Sequence, residues 1–508
     1  MQQSVQVRGS LESDGVKEGT NPPQGSESAI NIYTYHEKHA GRLVLDPDEA
    51  REEFGPEIAS KLKLTKDGTK VLWPQPTDDP QDPQNWSNAQ KHLQLFIITL
   101  AAVVPDFDSG IGIATVFALA KEFHTTTGHV NDLTSKSFRS SGWGGLFFVM
   151  LMRKYGRLPI LFWTQLLALG FLVGTAFAPN IRIFAGMRCL TGFFGLRLIL
   201  IPTGRTCPQV TLIINIWTMG VILAPHLSPF VFGFLVARAN WRWAFWIGCL
   251  YGLLVLILIV LFMKESMYHR DHNANPALPR GQDAAGLKNR LWTLLGITGV
   301  KRARLEPTWK EVLVAPIDVV WRPHMFLILL FEVSVFGFGI GINVTNTLFF
   351  QSQPPVGFGF DPTTVSGIYA TPVIAVVAGE ILGRYLNDWV MNFSVKRNHG
   401  VFEAESRLWT CYFEVALYVV GFVILGVALQ NRFSIAVIVV GWAIAQIAVL
   451  VTTVAVYAYC NDCFPQKRGE ISALLNLVRI LGGFSVAYYQ VPWASKNGAL
   501  QTLGCEAA

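Results

Sequence analysis

The sequence predicts an all-α polytopic membrane protein, and three observations lead to that prediction. Of the 508 residues, 51% are hydrophobic and only 15% are charged, whereas soluble domains typically have roughly 25% charged residues. The mean hydropathy is positive, at +0.36. The apolar residues also gather in runs of about 20, which is the length that an α-helix needs to cross a bilayer.

The amino-terminal part of the chain differs from the rest in composition. Residues 1–92 are polar, with an acidic excess and no apolar core of a signal peptide. We therefore expect a soluble, largely disordered cytoplasmic tail. The rest divides into an N-terminal transmembrane bundle, a central cytoplasmic loop, a C-terminal transmembrane bundle and a short tail, at residues 93–263, 264–322, 323–494 and 495–508.

The first two predicted spans both contain polar residues. The first, at about 93–117, carries Pro105, Asp106 and Asp108, which suggests a water-lined segment; the alternative is that these residues lie near the outer end and are solvated. The second span is predicted to be too short, because the serine-rich residues 135–141 leave only about a dozen apolar residues before the basic loop. That loop, residues 153–157, is cytoplasmic by the positive-inside rule.

The remaining spans are placed by their apolar runs. The fourth starts near residue 183, and residues 196–214 after it are irregular because Arg197 and Arg205 interrupt them. The basic excess of the central loop places it in the cytoplasm. We expect about eleven visible spans and a missing twelfth. The third span lies at about 159–178, the fifth ends near 236 and the sixth ends near 262. The seventh lies at about 325–350, the eighth begins after 362, and the ninth, tenth and eleventh lie at about 408–429, 435–459 and 470–491.

The seventh span contains the strongest candidate site. Glu332, Gly339, Asn343 and Asn346 fall on one stripe of a helix, and its other faces are apolar. A carboxylate in hydrocarbon costs a few kcal/mol, so Glu332 is predicted to belong to a transport or proton pathway. The alternative is a protonated Glu332 that hydrogen-bonds a neighbouring helix.

The eighth span ends with charged residues at a spacing of four. Glu380, Arg384 and Asp388 share one helix face, where ion pairs can form. We predict that they form a gate or brace at the cytoplasmic end of the span. Arg153 and Arg157 in the basic loop are assigned to gating as well.

The composition argues against several other classes of protein. A net charge of +6 is explained by basic cytoplasmic loops, so we expect no nucleic-acid partner. The CxxC at Cys460 and Cys463 has no second pair, so we predict no metal site. The sequence has no HExxH, Gly-x-Ser-x-Gly or P-loop spacing, which argues against an enzyme.

The order of short motifs along residues 80–508 resembles the major facilitator superfamily. Residues 153–157 are similar to the end of its G-x-x-x-D-R-x-G-R turn, with Arg153 in place of the Asp. In the fourth span, Arg188, Gly192 and Gly195 match its R-x-x-x-G-x-x-G signature. Three further segments resemble filamentous-fungal drug:proton antiporters, at residues 82–87, 264–268 and 457–465.

This resemblance implies two six-helix bundles and a multi-pass carrier of the cell membrane. Its partners would be a small-molecule substrate, protons and the lipid bilayer, and it would be a monomer without a cofactor, driven by a proton gradient. Glu332 would be the proton-linked residue, with Asn343, Asn346 and Asp106 on the pathway and Arg188 as its cationic partner. Alternatives are a proton-coupled nutrient uptake symporter and a truncated, inactive transporter.

Overall fold

The fold consists almost entirely of helices. The computed structural model describes residues 42–44, 46–65, 67–69, 71–72, 75–77, 82–195, 208–267, 287–303, 307–353, 357–398, 401–464 and 467–507. Side chains at a few of these positions, chiefly 208–218, fall outside the description. The irregular stretch predicted at residues 196–214 lies largely outside it as well.

Part of the tail that was predicted to be largely disordered is folded. Strand β1 (Arg42–Val44) pairs antiparallel with β2 (Val401–Glu403), and helix α1 (Pro47–Ala59) follows it. A 3-10 turn at Pro83–Asn85 precedes the first long helix. The sequence did not predict strand β1 because its partner strand lies more than 350 residues further along the chain. Residues 1–41 lie outside the described part.

Six helices form the N-terminal bundle. The first begins directly after Ser87, whose side chain accepts a hydrogen bond from the Gln90 backbone N–H at 3.3 Å and so caps the helix. Apolar side chains from these helices form two buried clusters. The helices are α2 (Asn88–Glu122), α3 (Thr127–Tyr155), α4 (Arg157–Ala176), α5 (Ile181–Phe194), α6 (Pro208–Val236) and α7 (Arg242–Phe262).

Helix α3 is longer than the shortened second span that the sequence predicts. Helix α3 has 29 residues, about 43 Å at 1.5 Å per residue. Its serines do not interrupt it because they are buried between helices. Ser137 and Ser140 donate hydrogen bonds of 2.8 and 2.9 Å to the carbonyl oxygens of Arg188 and Cys189 on α5. A helix packed between neighbours on several sides tolerates polar residues that a lipid-facing helix does not.

The central loop contains three helices within its described residues. They are α8 (Leu287–Leu295), α9 (Ile297–Arg302) and α10 (Trp309–Val320). Helix α10 begins with a capping box formed by Thr308 and Glu311. Asp318 on α10 is hydrogen-bonded to Lys467, and that contact lowers the pKa of Asp318 and ties the loop to the C-terminal bundle.

The C-terminal bundle follows the predicted order of spans. Asp361 caps α12 and Pro362 is its first residue, a favourable pair at the start of a helix. Two clusters of buried apolar side chains hold the bundle together. The helices are α11 (Pro323–Gln351), α12 (Pro362–Ile368), α13 (Ala370–Arg397), α14 (Trp409–Gln430), α15 (Ile435–Cys463), α16 (Arg468–Asn497) and α17 (Ala499–Ala507).

The segment predicted as a short tail is helical. Helix α16 continues to Asn497, and Gly498 then takes a φ of +91°, a conformation that favours glycine. This reversal turns the 9-residue α17 back against α14 and α16. Gln490 donates a 2.8 Å hydrogen bond to Glu506 across the reversal.

Nine segments in the described part of the chain are long and apolar enough to cross a membrane. Helices α3 and α5 lie between them in the chain and pack within the N-terminal bundle. The two bundles contact each other mainly through α3 against α16 and through α6 against α12 and α13. This arrangement confirms the predicted all-α membrane fold.

Helices α11 and α16 approach so closely at one point that only glycine fits. A Cβ on Gly337 would lie 2.8 Å from the Gly482 Cα, and backbone cannot move away as a side chain can. We expect Gly337→Ala to destabilise the protein by about 1–3 kcal/mol. Thermal unfolding of the purified protein measures this against Gly170→Ala on α4, whose Cβ would meet nothing within 4 Å. Equal melting temperatures for the two variants would contradict the close approach.

Candidate functional site

A cavity lies between the two bundles. Residues of α2, α3 and α6 line one side, and residues of α11, α15 and α16 line the other. It offers about 70 Å³ to the centres of water molecules, which is room for a few ordered waters. The wall is mostly apolar, and its polar and ionisable residues are Asp106, His226, Asn343, Gln446, Tyr457, Asn476 and Arg479.

Glu332 on α11 forms a buried ion pair with Arg479 on α16. Arg479 Nε donates to Glu332 Oε2 at 2.9 Å, and a terminal nitrogen donates to Oε1 at 3.3 Å. The two side chains, Arg479 and Glu332, are 6% and 1% exposed. Both carboxylate oxygens thus accept hydrogen bonds from the guanidinium, which is the bidentate geometry of a strong charge-assisted pair.

Arg479 lies between Glu332 and the cavity. Its guanidinium carbon is 4.2 Å from the centroid of the Phe336 ring and 4.4 Å from that of Tyr457, so two rings hold it in place. Arg479, Phe336 and Tyr457 line the cavity, whereas Glu332 does not. A proton or ligand that approaches Glu332 from the cavity therefore meets Arg479 first.

The structure gives Glu332 a different partner from the predicted Arg188. Arg188 lies in the N-terminal bundle, where it donates to the carbonyl oxygens of Asp108 at 2.9 Å and Ser109 at 3.4 Å. It is 4% exposed, and its guanidinium lies over the Phe245 ring. Arg188 thus binds the backbone of α2 near the middle of that helix.

Away from Arg479, a hydrogen-bond network centred on His226 joins the two bundles across the cavity wall. His226 on α6 contacts Asn343 Oδ1 through Nδ1 and Gln446 Nε2 through Nε2, both at 3.1 Å. With the Gln446 amide as donor, the network assigns the proton of the imidazole to Nδ1. The backbone carbonyl of Asn343 also accepts a 2.6 Å hydrogen bond from Tyr369.

Two of the other predicted pathway residues are separated by the fold. Asp106 lines the cavity from α2, as the water-lined interpretation of the first span requires. Asn346 is buried, but it does not line the cavity, and its Nδ2 has no hydrogen-bond acceptor among the described residues. The predicted stripe therefore contributes Gly339 and Asn343 to the cavity, while Glu332 and Asn346 lie behind it.

The two arginines assigned to gating have different partners. Arg153 at the end of α3 pairs with Glu470 in the first turn of α16, so this ion pair connects the bundles. The Arg157 backbone N–H donates to Glu265 at 3.2 Å and its side chain to Ser266 at 3.4 Å, both within the N-terminal half. Arg153 occupies the position of the Asp in the G-x-x-x-D-R-x-G-R turn, and its partner Glu470 is an acid, so the charges of this pair are opposite to those that an Asp at this position would bring.

The charged residues of the eighth span do not pair with one another. No ion pair within 4 Å joins Glu380, Arg384 and Asp388 in the described part of the chain. Glu380 is 7% exposed, and neither of its carboxylate oxygens has a described hydrogen-bond partner. Their gating role stays a prediction.

The Arg153–Glu470 pair should favour a cavity closed toward the basic loops. Replacing Arg153 by Ala removes a partly exposed ion pair of about 1 kcal/mol, which corresponds to about a five-fold shift toward the open form. Labelling of a cysteine at Asn476 should accelerate accordingly when an impermeant thiol reagent is added to inside-out vesicles, which expose the cytoplasmic side. Arg397→Ala, at an exposed arginine in the same predicted cytoplasmic region, is the matched control. Equal labelling rates in both variants would show that the Arg153–Glu470 pair does not hold the cavity closed.

Sequence reasoning missed several residues of the cavity and its surroundings. Arg479 lies in an apolar span, and the rule that selected Glu332 would have selected it too. His226 and Gln446 gave no local signal, because their importance comes from a contact between helices of opposite bundles. Glu470 could be found only as the partner of Arg153.

Comparisons with known proteins agree with this architecture. The sequence profile of the Major Facilitator Superfamily matches residues 98–487. "MFS transporter fsa7" from Fusarium sp. (strain FN080326) is 26% identical over 376 residues, or 71% of this chain and 69% of that protein. "Efflux pump radE" from Floropilus chiversii is 23% identical over 459 residues, or 87% of this chain and 79% of that protein.

A solved structure supports the fold. The xylose transporter XylE from E. coli, in a partially occluded inward open conformation, superposes with a TM-score of 0.52 at 17% sequence identity. The match covers 82% of this chain and 96% of that chain. At this identity the similarity concerns the arrangement of helices alone.

Proposed function

The chain belongs to the Major Facilitator Superfamily of membrane transporters, and on that premise we propose that it exports small organic molecules across the cell membrane in exchange for protons. The observation that carries this proposal is the buried Glu332–Arg479 pair beside the cavity. Intramembrane ion pairs next to a cavity are typical of proton and substrate pathways. The energy source would be the proton gradient alone.

The coupling follows from competition for one carboxylate. In the described conformation Glu332 binds Arg479 with both oxygens. A proton that binds Glu332 removes the negative charge that a cationic or hydrogen-bonding ligand would need there. Conversely, a ligand that takes the place of Arg479 at the ionised carboxylate keeps a proton from binding it. Binding of substrate and proton is linked because the two compete for Glu332.

The wall of the cavity suits amphipathic organic molecules. Apolar side chains such as Phe138, Val221, Ile340 and Val449 make up most of it, and a few polar groups are placed among them. The present volume admits only a few waters, so a substrate binds after the bundles move apart on one side. Contacts between the bundles at α3–α16 and α6–α13 are the surfaces that such a movement changes.

The names of related proteins favour export. One relative is called an efflux pump, and another, 30% identical over 212 residues, is the yeast protein named Fluconazole resistance protein 1. These names describe those proteins, and they support the proposal for this chain by analogy only. Uptake of a nutrient would use the same ion pair with the opposite direction of substrate flux.

An assay in yeast cells that lack their own efflux pumps tests the proposal. Cells that express the full chain should lose a panel of preloaded lipophilic dyes faster than control cells, and a protonophore should abolish the difference. Greater dye accumulation at acidic external pH would indicate uptake. Identical behaviour of expressing and control cells across the panel, with the protein present at the cell surface, would indicate an inactive chain.

A further inference from the structure

A second carboxyl group is buried in the C-terminal bundle without a cationic partner. Glu414 on α14 is 0% exposed, and neither of its carboxylate oxygens has a hydrogen-bond partner among the described residues. Three acids of this bundle have cationic partners: Glu332 pairs with Arg479, Asp462 with Arg407 at 2.7 Å, and Glu470 with Arg153. Glu380 on α13 also lacks a described partner, but it is 7% exposed, whereas Glu414 is completely buried.

The fold brings Glu414 close to the Glu332–Arg479 pair. Cys411, one turn before Glu414, packs in the same apolar cluster as Leu329, one turn before Glu332, and Leu475, one turn before Arg479. Helices α11, α14 and α16 all run from the predicted cytoplasmic side, so one further turn places the three charged residues at a similar depth. Helix α15 packs against all three of these helices, so the charged side chains lie around one shared neighbour.

Arg479 is the cation that lies nearest to Glu332 and Glu414, while the third acid of this region, Glu506, accepts a hydrogen bond from Gln490. The hydroxyls of Thr410 and Thr452 flank Glu414, but they donate to the carbonyl oxygens of Arg407 and Ala448 at 2.9 and 3.1 Å. The titratable or charged groups that face this region from the packed elements are Glu332 on α11, Cys411 and Tyr418 on α14, Cys460 on α15, Arg479 on α16 and Glu506 on α17.

Charge balance then assigns the protonation states. Arg479 is matched by Glu332, which accepts both of its hydrogen bonds. An unpaired carboxylate in an apolar interior costs several kcal/mol, whereas a protonated carboxyl is neutral. The cluster is neutral overall when Glu332 is ionised and Glu414 holds a proton.

We propose that Glu414 carries the exchanged proton in the described conformation and that the proton passes between Glu414 and Glu332 as the transporter changes state. In this step Glu414 loses its proton and becomes the carboxylate that pairs with Arg479, and Glu332 gains a proton and becomes neutral. One cation, one anion and one neutral carboxyl are present before and after, so no unpaired charge arises in the membrane. The proposal rests on proton-coupled transport by the same cavity.

Infrared spectroscopy of the full chain in liposomes tests the position of the proton without any substrate. With carboxyl-labelled glutamate, the wild-type protein should show protonated-carboxyl C=O absorption that is weaker in Glu414→Gln. Glu414→Asp should replace the lost part with an unlabelled band, which a merely structural role of Glu414 does not predict. Thermal unfolding confirms that each variant is folded. A labelled band of unchanged intensity in Glu414→Gln would overturn the assignment.

Dye flux separates this inference from the proposed function. If wild-type flux follows the proton gradient, Glu414→Gln should lower it at least ten-fold and Glu414→Asp should retain part of it. Gradient-driven flux that is unchanged in Glu414→Gln would overturn the relay, even if the infrared absorption is weaker. If wild-type flux ignores the gradient, the proposed export fails, and the infrared result still decides where the proton lies.

Discussion

Replacing Glu332 by Gln is expected to abolish proton-driven transport while the protein still binds and passively exchanges its ligands. The amide keeps the shape of a protonated carboxyl, but it cannot release a proton. Glu332→Asp should keep part of the coupling, because it retains a titratable group. The measurement is dye flux in vesicles with and without an imposed pH gradient. Gradient-driven flux that is unchanged in the Gln variant would show that Glu332 has a structural role.

A second variant separates coupling from stability. Glu332→Gln leaves the buried Arg479 without its counter-charge, and breaking a buried pair in this way costs about 3–5 kcal/mol. The double variant Glu332→Gln, Arg479→Gln removes both charges and should recover most of the lost thermal stability. It should remain uncoupled. If the double variant recovered proton-driven flux, reduced stability of the single variant, and not the loss of a titratable group, would explain its missing flux.

Replacing His226 by Leu is expected to open the cavity between α6 and the C-terminal bundle. The leucine leaves Asn343 Oδ1 and Gln446 Nε2 without the partners that they have at 3.1 Å. Each unsatisfied buried group costs about 1–3 kcal/mol, so the closed form should lose at least ten-fold in population. Spin labels at Phe177 and Asn431, at the predicted extracellular ends of the bundles, should report a longer distance.

Two controls accompany this measurement. His129→Leu changes an exposed histidine of α3 and should leave the distance distribution unchanged. His226→Gln keeps a donor and an acceptor and should give a smaller change than His226→Leu. A distance distribution in His226→Leu that matches the wild type would show that the network does not hold the bundles together.

The positions of most spans could be read from the sequence because each apolar run is local. The predicted seventh span, residues 325–350, is close to helix Pro323–Gln351, and the predicted tenth span starts at the same residue as helix Ile435–Cys463. The full length of helix α3 was not predicted because Ser137 and Ser140 look polar in sequence, although their hydroxyls donate to the backbone of α5. Burial between helices is not visible in one helix's own pattern.

The candidate site was only partly predictable for the same reason. Glu332 was found because a carboxylate in an apolar run is conspicuous wherever it lies. Its partner was assigned wrongly because Arg188 and Arg479 have similar sequence contexts, and only the packing of α11 against α16 distinguishes them. Pairing across 147 residues is a property of the tertiary structure.

The most direct test of proton-coupled export is dye movement in inside-out plasma-membrane vesicles that contain the protein. The probe is a permanently cationic fluorescent dye, with the membrane potential clamped and vesicles without the protein as control. An acidic vesicle interior should drive the dye inward in the wild type and not in Glu332→Gln. Dye that leaves the vesicles under the same gradient, or that moves equally without it, would contradict proton-coupled export.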